Sequence, residues 1–394
     1  MLNKYDWNKK CFADEKKIGI ITIVKVNNYG AELQAYALQK KLNLLGYDAE
    51  IIDYLFYKNK AHIKEKISRP FYPYPIKKKI KEFLEPWYHK IRCLPYWRNK
   101  RKREKAFDLF HKKHTRFSSI CYRSYSQLYQ NPPIYDVYCV GSDQVWNPGC
   151  YTNLNPYFVS FAPRGKKRIS YASSFGVKVL PQHAQEKYKD LLLQMDAISV
   201  REDAGVDIVN EISDRDAVKV ADPTLLLTTD DWLEIANYDK VPTDKYILLY
   251  VLKDSDYIKQ KALEIGREQG LKVVRICKEA YKQDKKTDGI IDILDAAPDD
   301  FLGLFSKAEI VLTNSFHGTV FSIMFRKEFY TVMKRGVENN SRQLSLLKTL
   351  NIDRIRYEND GLTEGLPIQW ENVHDKLDKF RKDSLNYLIN AIDG

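Results

Sequence analysis

Apolar and polar positions alternate along this chain in blocks rather than residue by residue. Ile18-Gly-Ile-Ile-Thr-Ile-Val24 is a continuous, mostly β-branched run, the pattern of a strand buried on both faces. The apolar positions that follow, Leu33, Ala37, Leu38, Leu42 and Leu45, fall at helical spacing, and Gly46 supplies a stop. Strand character resumes over residues 49–54. A strand, a covering helix and a second strand predict one βαβ unit of a parallel sheet.

The alternation continues with strands expected over 136–140, 168–173 and 197–200 and helices over 182–194 and 203–212. Between Leu227 and Lys245 it lapses into Thr228-Thr-Asp-Asp231 and Asp239-Lys-Val-Pro-Thr-Asp244, the turn chemistry of a connection. A second series then begins, with strands over 246–252, 271–276, 309–312 and 329–333. Its helices are expected over 257–269, after Pro298, over 318–325 and, packing back on either lobe, over 373–392. The expected fold is therefore α/β, with two Rossmann-like doubly wound lobes in a GT-B-like arrangement. The lobes are placed at 1–235 and 236–394, with a basic helical insert at about 56–130 in the first. Open α/β sheets bind ligands at the carboxyl ends of their strands, so the cleft between the lobes is the place to look for a site.

Composition narrows the class. With 44% apolar and 29% charged residues, the chain reads as globular rather than disordered or fibrous. Charges throughout the first seventeen residues leave no apolar stretch for a signal peptide. The longest apolar runs have strand length, far short of the roughly 20 residues that span a bilayer. The six cysteines are scattered without zinc-ligand spacing, which fits a reduced cytosol and no metal site. A cytoplasmic location, peripheral at the inner face of the cell membrane, is the expectation.

The net charge of +12 is concentrated: from Lys58 to Arg116 there are 20 Lys or Arg against five Asp or Glu, a local +15. Phe71, Tyr72, Tyr74, Trp87, Tyr88, Tyr96 and Trp97 lie within it. Basic helices with interleaved aromatics suit an anionic membrane surface or a phosphorylated acceptor. The same charge attracts nucleic acid, although no nucleic-acid partner is expected here. A solvated helical hairpin whose aromatics pack on the domain accounts for the pattern equally well.

Several βα turns carry chemistry. Thr313-Asn-Ser-Phe-His-Gly-Thr319 joins a strand to an apolar helix, which aims first-turn amide hydrogens and the positive dipole end outward as an anion site. Ser315 and Thr319 offer hydroxyls, Gly318 allows close backbone approach, and His317 suits phosphate binding or proton transfer near neutral pH. An N-capping Ser with a structural His is the plainer account. In the first lobe, Lys25-Val-Asn-Asn-Tyr-Gly-Ala31 takes the equivalent position, with Asn28 and Gly30 at a tight turn and Tyr29 suited to stacking on a sugar face. Gly141-Ser-Asp-Gln-Val-Trp-Asn147 follows a strand, so Ser142, Asp143, Gln144 and Trp146 combine hydrogen bonding with an aromatic face as sugar recognition does, unless Trp146 belongs to the core. Ser173 in Ser170-Tyr-Ala-Ser-Ser-Phe-Gly176 is placed to line the same cleft. Arg201 ends the strand of Ser199-Val-Arg-Glu202, where a guanidinium binds carboxylate or phosphate bidentately or pairs with a carboxylate of the chain. Asp222 orients a basic residue or caps a turn, and Arg342 precedes a helix at a position that reaches either the cleft or the surface.

In order and in placement, Asn28-Tyr-Gly-Ala-Glu-Leu-Gln-Ala-Tyr-Ala-Leu-Gln39, Val140-Gly-Ser-Asp-Gln-Val-Trp-Asn-Pro148, Ser170-Tyr-Ala-Ser-Ser-Phe-Gly176, Ser199-Val-Arg-Glu202, Asp222-Pro-Thr224 and Ser315-Phe-His-Gly-Thr-Val320 resemble the polysaccharide pyruvyl transferase family over about residues 18–350. The resemblance implies transfer of a pyruvyl group from phosphoenolpyruvate to a sugar of a polysaccharide or its lipid-linked precursor. In that chemistry Arg201 and the Ser315-to-Thr319 helix start would hold the donor, and His317 would act as general acid. The donor brings its own reactivity, so no cofactor and full activity after chelation are expected. A nucleotide-sugar glycosyltransferase and a non-catalytic glycan-binding protein are the alternatives.

Overall fold

The structure, a computed structural model, describes residues 16–69, 80, 84, 91, 96–150, 152–277, 287–336, 340–358 and 367–394. Most aromatics of the basic insert, Phe71 to Tyr88, lie outside them.

In the first lobe β1 (Lys17–Ile21), β2 (Asp48–Ile51), β3 (Val137–Val140) and β4 (Lys167–Ser170) form a parallel sheet in the order β2-β1-β3-β4. Single bridges pass its edge on toward the short parallel pair β5 (Ser199–Val200) and β6 (Val218–Lys219). The second lobe is a six-stranded parallel sheet in the order β12-β11-β10-β7-β8-β9. Its strands are β7 (Tyr246–Tyr250), β8 (Lys272–Ile276), β9 (Ile290–Ile293), β10 (Ile310–Thr313), β11 (Glu328–Met333) and β12 (Ile355–Tyr357). Two doubly wound lobes in a GT-B-like arrangement are thus observed. β9 and β12 escaped the sequence pattern because they are short edge strands of four and three residues; Ile355-Arg-Tyr357 is half-buried throughout.

The winding order places the site. In the first sheet the chain moves from β1 to β2 on one side and returns to β3 on the other, so strand order reverses between β1 and β3. In the second it reverses between β7 and β10. Each reversal opens a crevice at the carboxyl ends of the strands.

The lobes share a core. Tyr29, at the start of α1 (Tyr29–Leu44), stacks on Phe301 of the second lobe at 4.9 Å, and its hydroxyl donates to the Ala296 carbonyl at 3.0 Å. The terminal helix Trp370–Asp393 returns to the first lobe: Ser384 Oγ accepts the Ala221 amide at 2.8 Å and Arg381 Nε donates to the Leu225 carbonyl at 2.6 Å. In the insert, the helix Trp97–His114 buries Phe107 and Phe110 and exposes its basic face.

Candidate functional site

A cleft of ≈ 750 Å³ lies between the lobes. Its floor is made by the turns after the four strands at the two switch points: Lys25 to Asn28 after β1, Asp143 and Gln144 after β3, Lys253 after β7, and Asn314 to His317 after β10. Lys25, Asn27 and Asp143 hold φ of 57°, 54° and 66°. Non-glycine residues with such left-handed backbones cluster at functional sites, where surrounding structure holds them in place.

Two helix starts face each other across this floor. Asn28 caps α1, its Oδ1 accepting the Gly30 amide at 3.1 Å. Ser315 caps the helix Phe316–Met324, its Oγ accepting the Gly318 amide at 3.3 Å. First-turn amides have no intrahelical acceptor, so both termini bring partial positive charge to the cleft. Contact between them is tight: a Cβ on Gly30 would come within 2.0 Å of His317 Nδ1. Glycine at position 30 is what lets the imidazole of one lobe rest on the backbone of the other.

His317 Nε2 is buried with no hydrogen-bond partner among the described residues, and Asp222 Oδ2 stands 3.8 Å from it. A buried polar nitrogen left without a hydrogen bond is uncommon in folded proteins, and at a cleft it is available to a bound group. Burial pushes the His317 imidazole below its ordinary pKa, with the Arg201 charge adding to this and Asp222 opposing it. Burial therefore favours neutral His317 at neutral pH, and an anion bound at the helix starts would favour its protonated form. Asp222 is wholly buried; burial pushes its carboxyl up, but Arg201, His317 and hydrogen bonds from Thr224 outweigh that and leave it below the usual range.

Arg201 corrects an expectation. Its side chain is 1% exposed, and its Nη1 bonds Asp222 at 2.6 Å and its Nη2 Asp143 at 3.3 Å. Burial depresses the guanidinium, yet Asp222, Asp143 and Glu202 raise it above its usual value. Arg201 thus stands near His317, as expected, through their shared Asp222, but is directed at carboxylates of the chain rather than into the cleft. The guanidinium that lines the cleft is that of Arg342, in the first turn of the helix Ser341–Leu350. Burial and the nearby Arg201 charge push it down to about 10, so it stays charged at neutral pH. The Phe316 ring neighbours both guanidinium groups, its centroid 4.4 Å from that of Arg201 and 5.7 Å from that of Arg342.

Of the other expected site residues, Asn28, Asp143, Gln144 and Ser315 line the cleft. Trp146 does not: it is fully buried, stacks on Phe158 at 4.9 Å and donates its indole hydrogen to Tyr157. Tyr29 lies in the interlobe core and offers no free face for a sugar. Ser142 and Ser173 are buried and bond backbone carbonyls. Thr319 pairs with Thr331 in the core, and Gly318 gives room to Thr313, whose Oγ1 would be 2.2 Å from an added Cβ. Small residues at these turns serve close packing behind the site. Lys334, Gln343 and Glu358 of the second lobe and His111 of the insert line the cleft without having been anticipated. Lys334 follows the carboxyl end of β11 and Gln343 follows Arg342, so strand-end and helix-start reasoning could have found both, whereas no local pattern marks Glu358 or His111.

A sequence model of the polysaccharide pyruvyl transferase family matches residues 28–333. The chain belongs to that family. The matched span runs from the cap of α1 to the end of β11, so it includes Arg201, Asp222 and His317, while Arg342 lies beyond it. No match was found among curated proteins. Solved structures similar to this chain include the UDP-GlcNAc 2-epimerases of Methanocaldococcus jannaschii (12% identity, 92% of each chain covered, TM-score 0.46) and Rickettsia bellii (11%, 96% and 97% covered, TM-score 0.47). Arabidopsis thaliana UGT89C1, solved with UDP-L-rhamnose, is similar at 10% identity over 95% and 94% of the two chains, with a TM-score of 0.43. No group of three or more His, Cys, Asp or Glu that would hold a metal ion occurs among the described residues.

Proposed function

We propose that this pyruvyl transferase moves the pyruvyl group of phosphoenolpyruvate onto two hydroxyls of a sugar in a polysaccharide or its lipid-linked precursor, forming a cyclic ketal. The observation that carries the reading is the buried His317 imidazole between two facing helix starts, its Nε2 without a hydrogen-bond partner among the described residues, beside the Arg342 guanidinium. Phosphoenolpyruvate is a small trianion, and this is a floor of amide hydrogens with the Arg342 guanidinium and the His317 ring beside it. The phosphate sits at the Ser315 helix start. Arg342 takes the carboxylate.

The donor's own charge recharges His317. Protonated, it delivers a proton to the methylene carbon, which becomes the methyl group, and C2 takes on oxocarbenium character. One acceptor hydroxyl attacks C2 and gives up its proton. The bond from C2 to the phosphate oxygen then breaks, the second hydroxyl attacks, and its proton leaves with the phosphate. Of the two hydroxyl protons one ends in the methyl group and one on phosphate, so the sequence balances without a metal or redox cofactor. Asp222 supports the imidazolium while Arg201 keeps that carboxylate ionised. General acid assistance of this kind is worth about 10² to 10⁴ in rate.

The reading includes attachment at the inner face of the membrane. Trp97 is 49% exposed and Leu109 64% exposed on a helix with eight Lys or Arg, and Ile63 and Ile67 of the same insert are also exposed. Apolar side chains standing among cations suit an anionic interface. Among the described residues no helix is long and apolar enough to cross a membrane.

The test is incubation with phosphoenolpyruvate and a panel of lipid-linked or model glycosides, followed by mass spectrometry. A pyruvyl-ketal mass gain with equimolar phosphate supports the reading. Tight binding of a nucleotide sugar in calorimetry, with none of phosphoenolpyruvate, would replace it with glycosyl transfer.

A further inference from the structure

The helix Trp97–His114 carries eight Lys or Arg, yet two of its polar side chains, Arg103 and His111, are buried. Arg103 is 4% exposed. Its Nη1 donates to the Cys277 carbonyl at 2.8 Å and its Nη2 to the Asn27 carbonyl at 3.2 Å. Cys277 follows β8 of the second lobe; Asn27 belongs to the turn after β1 of the first. The same guanidinium covers the ring of Tyr29 at 4.7 Å, inside the interlobe core. Two helical turns further on, His111 Nε2 meets Glu32 Oε2 at 2.8 Å, and Glu32 accepts the amides of Lys25 at 3.3 Å and Val26 at 3.1 Å.

We propose that Arg103 and His111 are positioning residues: together they hold the 25–28 turn and set the lobe separation at which His317 rests on Gly30. Both ends of the turn are fastened from one helix face, Asn27 by Arg103 and Lys25 with Val26 through Glu32 and His111. The left-handed backbones of Lys25 and Asn27 need such fastening to persist. The second carbonyl, on Cys277, makes this a strut between lobes as well as a loop support. A planar fork bridges two carbonyls at fixed spacing, whereas a lysine ammonium is a point charge on a flexible stem. The catalytic consequence rests on the proposed role of His317; the geometric claim does not.

The test reads the imidazole directly. Histidine-labelled protein is titrated by NMR, with the His317 resonance assigned by its loss in His317→Gln. The charged groups facing this ring are Asp222, Arg201, Asp143 and Arg342, all untouched by substitution at Arg103. In Arg103→Gln the lobes part, water reaches the ring, and its midpoint rises toward the ordinary histidine value. Arg103→Lys moves it the same way by less, and Arg98→Gln, away from the cleft, leaves it in place. Turnover of phosphoenolpyruvate by Arg103→Gln falls by about 10²-fold, the effect expected of an ångström-scale misplacement. A wild-type midpoint in cooperatively folding Arg103→Gln and Arg103→Lys overturns the proposal. Loss of folding in both also overturns it, in favour of a purely structural guanidinium. A shifted midpoint in a protein whose wild type does not consume phosphoenolpyruvate keeps the strut and discards the pyruvyl-transfer reading.

Discussion

Gly30→Ala separates catalytic geometry from stability more cleanly than any substitution of a charged residue. Gly30 lies in the first turn of α1, and its φ is not among the left-handed ones, so alanine adopts its backbone without strain. Helix propensity alone would favour alanine by about 1 kcal/mol. Opposing this, the added methyl meets three atoms of the His317 ring, Nδ1 at 2.0 Å, Cγ at 2.5 Å and Cε1 at 2.7 Å. Ordinary contact for such atoms is about 3.5 Å, so the ring must retreat by on the order of 1.5 Å. Overpacking of that kind costs about 1–3 kcal/mol, and the net change in stability is therefore a loss of at most about 2 kcal/mol. A displacement of that size at a proton-transferring group costs about 10² in rate. The assay is phosphate release from phosphoenolpyruvate with a model acceptor, alongside a thermal melt of the same sample. The expected outcome is a hundredfold slower enzyme that melts close to wild type. A Gly30→Ala enzyme with wild-type turnover would show that His317 is not held in working position by the first lobe, and the interlobe site would lose its basis.

His317→Ala removes the proposed acid and should slow turnover by about 10² to 10⁴ while leaving a cooperative melt; near-wild-type rates would remove the ring from the mechanism. The two arginines should behave differently. Arg342→Lys is expected to raise the donor KM about tenfold or more, since hydrogen bonds to charged groups are worth about 1.5–3 kcal/mol. Arg201→Gln leaves the buried Asp222 without its cation and should cost about 3–5 kcal/mol of stability. If Arg201→Gln melts like wild type while donor KM rises, Arg201 returns to the ligand. Stability should also fall on mild acidification. Burial lowers His62, His114 (to about 4), His317 and His374 below their ordinary value. Between that value, about 6.5, and the folded ones, the unfolded chain binds more protons, so stability rises with pH across the window. Thermal melts should show a melting temperature that declines from about pH 6.5 toward pH 4, and a flat profile would contradict the burial of these rings.

By itself the sequence determined the local elements, and through them the fold class. Continuous β-branched runs such as Ile18 to Val24 mark strands buried on both faces, and helical spacing followed by glycine marks covering helices; both are short-range signals. The anion-binding start at Ser315 was legible for the same reason, because strand, cap and helix are contiguous. Side-chain direction was not legible. A tryptophan, a tyrosine and small hydroxyl residues after a strand suit a sugar site and a packed turn equally well, and only the neighbouring elements decide. Phe158 claims Trp146, Phe301 claims Tyr29, and Asp222 with Asp143 claims Arg201. The pairings across the cleft, Gly30 with His317 and Arg103 with Asn27 and Cys277, join residues that belong to different elements far apart along the chain. They exist because two sheets reverse strand order at facing edges, and that reversal is a property of the wound chain rather than of any stretch within it.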